Sequence, residues 1–316
     1  MIHQQTRTIK ETLRMWSDMS ESTAKNRWGV EQRLEFIDFV LYWEGEINRS
    51  RITDQFGVSG QQASNDLTRY QLIAPQNIRY DLSSKRYVPT EEFRCRLIKP
   101  DAEKYLGQVH ALSSGVIRKE DTWLDIGTAA DSLPIPTRAV DPEILRAILR
   151  TIRSNKSIEI CYQSFNNATP EPVWRRITPH AFASDGLRWH VRAFCHRSGI
   201  FKDFLLSRCR GTRDEQAAEA SQSEDTEWLS YFEVKLIPNP RLNPWERKAI
   251  ALDYDMHDGE VTLQIRLALL YYFDKRFGTE FECRTPLDFA QDPKRTPVVI
   301  SNRDEYLHAI GSISSW

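Results

Sequence analysis

The sequence is short of the features that would commit it to a membrane, an oxidising compartment or a familiar catalytic scheme. Its 316 residues contain no apolar run of about 18 residues, roughly what a helix needs to span a bilayer. The start, Met1-Ile2-His3-Gln4-Gln5, lacks the apolar core of a secretory signal, so the expectation is a cytoplasmic protein without membrane contact. Five cysteines (Cys95, Cys161, Cys195, Cys209 and Cys283) are odd in number and scattered, with no Cys-x-x-Cys. That argues against a disulfide framework and against a structural zinc site. Cys161, Cys195 and Cys209 lie in apolar contexts and read as buried thiols. Asn48 and Asn167 match the glycosylation sequon, by chance in a cytosolic chain. No phosphate-binding loop, dinucleotide fingerprint, nucleophile elbow or His-Glu-x-x-His pair occurs. His180, His190 and His196 fall near Cys195, but their spacing fits no common ligand pattern. No metal, no cofactor and no catalytic residue is therefore expected.

Net charge is nearly absent as well, at −1, while 40% hydrophobic and 28% charged residues are those of a globular protein. The length calls for two or three domains.

Against that neutral background one stretch stands out. Between Glu171 and Arg213 there are nine basic and three acidic residues, a local charge of +6. Within it, Trp189, Val191, Ala193 and Cys195 alternate with His190, Arg192, Phe194 and His196, which predicts a strand with one apolar and one cationic face. Ser198-Gly199 turns the chain, and Phe204 to Cys209 returns as an antiparallel partner carrying Ser207 and Arg208. Ser157 to Phe165 alternates with Ile158, Ile160, Tyr162 and Ser164 on one side. Trp174 to Phe182 is a further strand with Arg175, Arg176 and His180. Such an island implies an anionic partner; an ordinary hairpin with a solvated face is the alternative.

The N-terminal part is helical. Residues 1–26 read as an arm with Ile9, Leu13 and Trp16 at helical spacing. Leu34, Ile37 and Leu41, flanked by Phe36 and Val40, form a wide apolar stripe ending near Gly45. From Asn48 to Ser59, Ile52 and Phe56 share one helical face, Gly57 supplies a turn, and Val58 plugs between two helices. Ser59 caps the next helix, with Gln62 three residues later completing a capping box. Along that helix Ala63, Leu67 and Tyr70 face inward; Gln61, Asn65, Thr68 and Arg69 face outward. This is helix-turn-helix spacing, and Gln, Asn and Arg are the side chains that read base edges or phosphate. Asn77 to Pro89 makes two short strands about a Ser-Ser turn, a winged hairpin with Arg79, Lys85 and Arg86. Residues 46–88 sum to only +2, so the motif rather than bulk charge carries the DNA-binding reading; a plain helical hairpin is the alternative.

Residues 93–137 read as a weakly periodic connector closing with Leu133-Pro134-Ile135-Pro136. Asp141-Pro142-Glu143 starts a helix with Ile144, Leu145, Ile148, Leu149 and Ile152 on its apolar face. Gly211 ends the central strands, and 214–227 is an acidic linker poor in core formers. Trp228 to Ile237 is strand-like, Asn243-Pro244-Trp245 caps a helix reaching about Tyr254, and Val261, Leu263 and Ile265 alternate. Leu267 to Phe277 is an apolar helix, read as core or as a dimer seam.

Two of these segments resemble known domains. Arg188-Trp189-His190-Val191-Arg192-Ala193 resembles the Trp-Tyr-Leu signature of WYL domains, with His190 and Val191 replacing Tyr and Leu. Phe204-x-x-Ser207-Arg208 resembles that domain's closing segment. The run Phe56-Gly57-Val58-Ser59-x-x-x-Ala63-Ser64-x-Asp66-Leu67-x-x-Tyr70, on to Ala74-Pro75-x-Asn77-x-x-Tyr80-Asp81-x-Ser83-x-Lys85-x-Tyr87, resembles the winged helix of the BrxR and CapW repressors. Those are WYL-type regulators of bacterial phage-defence operons, including BREX systems. The Leu267–Phe277 segment is placed like the family's C-terminal WCX extension, which contributes to dimerisation.

The resemblance implies an α+β multidomain protein: a winged helix-turn-helix at 1–95, a connector at 96–137, and a WYL domain (an Sm-like, SH3-type β-barrel) at 138–213. A linker at 214–227 and a WCX-type α/β domain at 228–316 complete it. It implies a homodimeric, sequence-specific repressor on an inverted-repeat operator in double-stranded DNA, with a nucleotide or nucleic-acid effector at the WYL domain. The candidate DNA-contacting residues are Arg49, Arg51, Ser59, Gln61, Gln62, Ser64, Asn65, Thr68, Arg69, Arg79, Lys85 and Arg86. Those for the effector are Tyr162, Ser164, Arg175, Arg176, His180, His190, Arg192, Ser207 and Arg208. A transcription activator of the same architecture, an accessory factor acting on RNA or single-stranded DNA, and an enzyme with an unrecognised site stand as alternatives.

Overall fold

The computed structural model describes residues 29–125, 129–165, 171–277 and 292–313, in two compact units, Met1–Pro134 and Ile135–Trp316. The arm expected at 1–26 lies outside the described residues.

In the first unit the apolar stripe forms helix α1, described over 29–43, with Leu34, Phe36, Ile37, Val40 and Leu41 all in the core. Helix α2 (Arg49–Phe56) is capped by Asn48 and stops at Gly57, whose φ of 63° is the left-handed conformation glycine adopts without strain. Helix α3 (Gly60–Ile73) starts at Ser59, whose side chain accepts from Gln62 N at 3.2 Å. The expected capping box is only half formed. The Gln62 side chain turns away from the cap and donates to Asp66 at 3.0 Å. Strands β1 (Ile78–Asp81) and β2 (Arg86–Pro89) pair as the antiparallel wing, and Ile47 adds backbone bonds in both directions to Tyr87.

The segment read as a connector carries helix α4 (Ala102–Ser113), which belongs to this core. Its Tyr105 ring stacks on Trp43 at 4.4 Å, and Trp123 meets Phe36 and Phe39 edge-on. Periodicity was too weak to reveal it because α4 packs mainly through Tyr105 and Val109, while Trp123 and Leu124 follow the helix.

In the second unit helix α5 (Pro142–Arg153), with proline in its first turn, buries Ile144, Ala147 and Ile148. It covers a five-stranded antiparallel sheet of β3 (Lys156–Tyr162), β4 (Val173–Ser184), β5 (Trp189–Cys195), β6 (Ile200–Leu205) and β7 (Cys209–Ala217), ordered β6-β5-β4-β3-β7. Val191, Ala193 and Cys195 join its core as the alternation requires, but Trp189 is 57% exposed at the strand's start. Cys195 and Cys209 are buried; Cys161 is only partly so.

Gly211 does not end this sheet, since β7 runs on to Ala217. Nor is 214–227 an unstructured linker. Asp214 pairs with Arg176 and Glu215 with Arg150, and helix α6 (Thr226–Leu229) follows directly. Of the acidic residues that looked like linker composition, Asp214, Asp225 and Glu227 are counter-charges to Arg176 and Arg192 of the basic island.

The remainder is a three-stranded sheet, β10-β8-β9, of β8 (Tyr231–Pro238), β9 (Val261–Arg266) and β10 (Val298–Ile300). Helix α7 (Pro244–Asp253) opens with a complete capping box between Asn243 and Glu246. Helix α8 (Leu267–Phe277) buries Ala268, Leu270, Tyr272 and Asp274, and helix α9 (Arg303–Ser312) adds Tyr306 to the same core. The end of α8 is also tied to the β4–β5 turn, where Arg276 donates to the Asp185 carbonyl at 2.5 Å.

Candidate nucleic-acid interface and effector cavity

The helix-turn-helix positions its polar row through its apolar one. Ala63, Leu67 and Tyr70 are sealed in the core, which leaves Gln61, Asn65, Thr68 and Arg69 exposed on α3. Gln61 donates to Asn65 at 3.2 Å, an i,i+4 bond that orders two amide side chains on that face. Ser64 and Thr68 turn their hydroxyl protons back to helix carbonyls, leaving oxygen lone pairs outward. Arg49, Ser59, Arg79 and Lys85 are exposed, and Lys85 sits at the wing tip with φ 55°.

Three candidates are otherwise engaged. Arg51 bonds Glu44 at 2.9 Å and the Trp123 carbonyl at 2.8 Å, and its guanidinium lies over the Phe36 ring. It is a packing residue. Arg86 is paired with Glu46, and Gln62 with Asp66.

What holds α3 was not legible. Asp38 of α1 accepts the Tyr70 hydroxyl at 2.5 Å with one oxygen. Its other oxygen accepts the backbone N–H groups of Arg96, Leu97 and Ile98 at 2.8, 2.9 and 3.2 Å. Burial and the bond to Asp38 hold the Tyr70 hydroxyl well above its ordinary pKa. A second clasp joins Arg33 of α1 to Asp66 of α3 at 2.6 Å. The only sequence signal was a carboxylate set inside an apolar stripe, Ile37-Asp38-Phe39.

In the second unit the face expected to be open and cationic is covered. Arg192 is 0% exposed. Its Nε and Nη2 bond the two Asp225 oxygens at 2.7 and 2.9 Å, Nη2 bonds Glu227 at 2.9 Å, and Nη1 lies 3.6 Å from Asp203. His180 reaches the same Asp225 at 3.0 Å. Burial disfavours the Asp225 charge, but hydrogen bonds from Arg192 and His180 outweigh it and keep the carboxyl far below its ordinary range. Arg192, His180 and Arg176 are thereby occupied by carboxylates and are not open to an effector. The three histidines share no centre: His190 stacks on Tyr272 at 4.5 Å, and His196 meets Thr178 and Glu219.

The other candidates do come together. Tyr162, Ser164, Arg175, His190 and Arg208 line a cavity of about 460 Å³, and Ser207 is not among its lining residues. Lys202, Asp203 and Phe204 join them from β6 and Arg188 from the β4–β5 turn, with Tyr271, Tyr272 and Lys275 from α8. Five cations thus surround one carboxylate. Arg188 is paired with Asp185 at 2.7 Å, whereas Arg175, Lys202, Arg208 and Lys275 have no carboxylate partner among the described residues. Arg208 lies over the Phe165 ring at 3.8 Å. His190 is 3% exposed with its Nδ1 unbonded, and burial pushes its pKa down to about 4, so it is neutral at pH 7. Burial likewise pushes Asp203 up to about 6 despite the nearby Arg192. Lys202 and Lys275 escaped sequence reasoning because alternation and family motif both pointed elsewhere.

The chain matches three domain families in order. Residues 29–111 match the BrxR transcriptional regulator winged helix-turn-helix domain, 143–213 the WYL domain, and 231–306 the BrxR transcriptional regulator C-terminal dimerization domain. Together they define a WYL-type transcription regulator. It is 37% identical over 279 residues to the DNA-binding transcriptional repressor CapW of Escherichia coli (strain KTE188), covering 88% of this chain and 91% of that protein. The CapW of Pseudomonas aeruginosa is 37% identical over 280 residues, with 88% and 91% covered. That of Stenotrophomonas maltophilia is 33% identical over 287 residues, with 90% and 94% covered. The chain belongs to the BrxR/CapW family of WYL-domain transcriptional repressors.

Proposed function

We propose that this protein is a homodimeric, sequence-specific repressor that binds an inverted-repeat operator of a bacterial phage-defence operon and releases it when an effector occupies the WYL domain. The observation that carries the DNA-reading half is the exposed row Gln61, Asn65, Thr68 and Arg69 on a helix whose opposite face is locked in the core. Amide side chains suit adenine and Arg suits guanine or phosphate in the major groove, while Arg79 and Lys85 on the wing suit backbone contacts. A two-fold dimer turns one such head into a reader of two half-sites. The effector half rests on the cavity around Arg175, Arg208 and His190, whose cations without a carboxylate partner among the described residues, with aromatic walls, suit a phosphate-bearing ligand.

The test is to recover and sequence genomic fragments bound by the purified protein, then measure affinity for the enriched duplex. An enriched inverted repeat upstream of defence genes is expected. Fragments without a common motif, or a preference for single strands, would overturn the operator reading.

A further inference from the structure

The wing carries three cations, and the fold treats one of them differently. Arg79 and Lys85 are exposed with no carboxylate partner among the described residues, whereas Arg86 donates to Glu46. The pairing follows from the register. Ile47 bridges Tyr87 in antiparallel fashion, with a backbone bond of 2.8 Å in each direction, and both side chains pack in the core of this unit. Alternation then puts their sequence neighbours Glu46 and Arg86 on the opposite, outer face. Across the hairpin, Asp81 of β1 is the direct partner of Arg86. Asp81 is pinned by the wing turn. It accepts the Ser83 N–H at 2.9 Å, the Ser83 hydroxyl at 2.7 Å and the Ser84 hydroxyl at 3.0 Å, bonds that also hold its carboxyl below the ordinary range. Arg86 thus lies between two carboxylates, one bonded and one opposite. The face remains open to solvent, with the Arg86 side chain 44% exposed and that of Glu46 41%.

We infer that Glu46 is a positioning residue that withholds Arg86 from the DNA backbone and so limits the sequence-independent part of the repressor's affinity. This rests on the reading of the wing as a phosphate-contacting element. An exposed ion pair contributes little to stability, so the bond between Glu46 and Arg86 has little to do for the fold. Its effect falls on binding. An unpaired arginine that meets a phosphate releases a counterion from the duplex, and such releases supply nearly all of non-specific binding. An arginine already neutralised by a carboxylate brings no such gain. The phosphate has first to displace Glu46, and the freed carboxylate, held in place by the backbone bonds between Ile47 and Tyr87, then repels it. The base-reading row on α3 is untouched by this mask. Selectivity stays with Gln61, Asn65, Thr68 and Arg69, while the hold common to all sequences is kept down. A repressor that has to let go of its operator gains from the restraint, because each backbone contact tightens operator and bulk DNA alike.

The experiment uses the full-length protein and a duplex of scrambled sequence, with affinity measured by fluorescence anisotropy between about 50 and 200 mM salt. Glu46→Gln keeps the shape of the side chain and removes its charge. It should tighten binding roughly threefold to tenfold at the low-salt end and steepen the plot of log affinity against log salt by about 0.9, one phosphate's share. In an Arg86→Ala background the same substitution should give neither change. Glu91→Gln, which removes an equal exposed charge just past β2, should leave the slope as it is. The melting temperature of Glu46→Gln should match the wild type. If Glu46→Gln gains affinity equally with and without Arg86, or Glu91→Gln reproduces the gain, the carboxylate acts by general repulsion and the masking of Arg86 is wrong. If Glu46→Gln leaves affinity and slope unchanged, or weakens binding and lowers the melting temperature, Arg86 is no latent phosphate contact and the inference falls. Lys85→Ala tells this from a failure of the wing reading. A slope lowered by about one in that variant, with Glu46→Gln silent, overturns the inference alone; a slope unchanged in both takes the wing off the DNA and the inference with it.

Discussion

Arg192 and Asp225 meet as a bidentate ion pair with both side chains sealed from solvent, at 2.7 and 2.9 Å. The arginine comes from the strand carrying the family signature, and the aspartate from a stretch that composition marks as linker. A guanidinium held by Asp225, Glu227 and Asp203 is a structural member of this unit.

Arg192→Ala should therefore destabilise the protein by about 3–5 kcal/mol, because it leaves carboxylates buried without their cation. Arg208→Ala, at the cavity rim, should cost less than about 1 kcal/mol. Urea denaturation of the two variants checks this. Equal midpoints would show that Arg192 is dispensable to the fold.

His190 gives the second unit an acid sensitivity. Its ordinary pKa near 6.5 is pushed down to about 4 by burial, with Arg188 and Arg208 adding to the effect and Asp185 opposing it. The unfolded chain takes up a proton below about pH 6.5 and the native one does not until about pH 4, so stability falls as pH drops through that window. Asp203, raised by burial to about 6, acts in the opposite sense between about pH 6 and its ordinary 3.8 and offsets part of the loss. His190→Gln isolates the imidazole: relative to wild type, its unfolding free energy should rise by up to about 1.4 kcal/mol per unit as pH is lowered from 6.5 to 4. A difference independent of pH would contradict this.

Asp38→Ala removes the acceptor of one hydroxyl and three backbone amides. Several donors left unsatisfied in a core should cost more than about 3 kcal/mol. Tyr70→Phe, which deletes one donor and leaves the amides served, should cost about 1 kcal/mol. Thermal unfolding of both variants checks the order; a Tyr70 variant as damaged as the Asp38 one would put the centre of that network elsewhere.

Arg69→Ala is expected to weaken operator binding by about 1–3 kcal/mol and to relax specificity at one base pair. Lys85→Ala on the wing should weaken all duplexes alike and lower the salt dependence by about one ion. Arg51→Ala should instead reduce stability, since Arg51 is bound to Glu44 and the Trp123 carbonyl. Binding titrations at several salt concentrations, with a melting curve for each variant, separate these outcomes. Operator binding lost in Arg51→Ala at unchanged stability would return that residue to the DNA surface.

The periodic parts of the chain were readable before any coordinates. Gly57, the Ser59 cap and the inward Ala63, Leu67 and Tyr70 marked the helix-turn-helix, and Asp141-Pro142 marked the start of α5. Alternation along 189–195 correctly separated Val191, Ala193 and Cys195 from His190 and Arg192. It could not say what lies against the second set. Tyr272 lies 82 residues beyond His190 and Asp225 lies 33 beyond Arg192, in partner elements whose patterns are their own. Counting charge over a window failed for the same reason, because Arg176 and Arg192 are neutralised by Asp214 and Asp225, just outside it. Helix α4 was missed since its apolar face is two residues wide, and Asp38 because one carboxylate in a stripe looks like an imperfection.

The two clasps between α1 and α3, Arg33 to Asp66 and Asp38 to Tyr70, lie about one helical turn apart on each helix. One fastening would leave a hinge; two remove both sliding and swivelling. The reading head is consequently a solid die rather than an adjustable tool. In a two-headed repressor such dies have to meet grooves spaced about 34–36 Å apart along the duplex. If two such heads read two half-sites as proposed, control would be a matter of gauge: shifting the distance or angle between intact heads by a few ångströms would spoil the fit at both half-sites without disturbing α3 in either head.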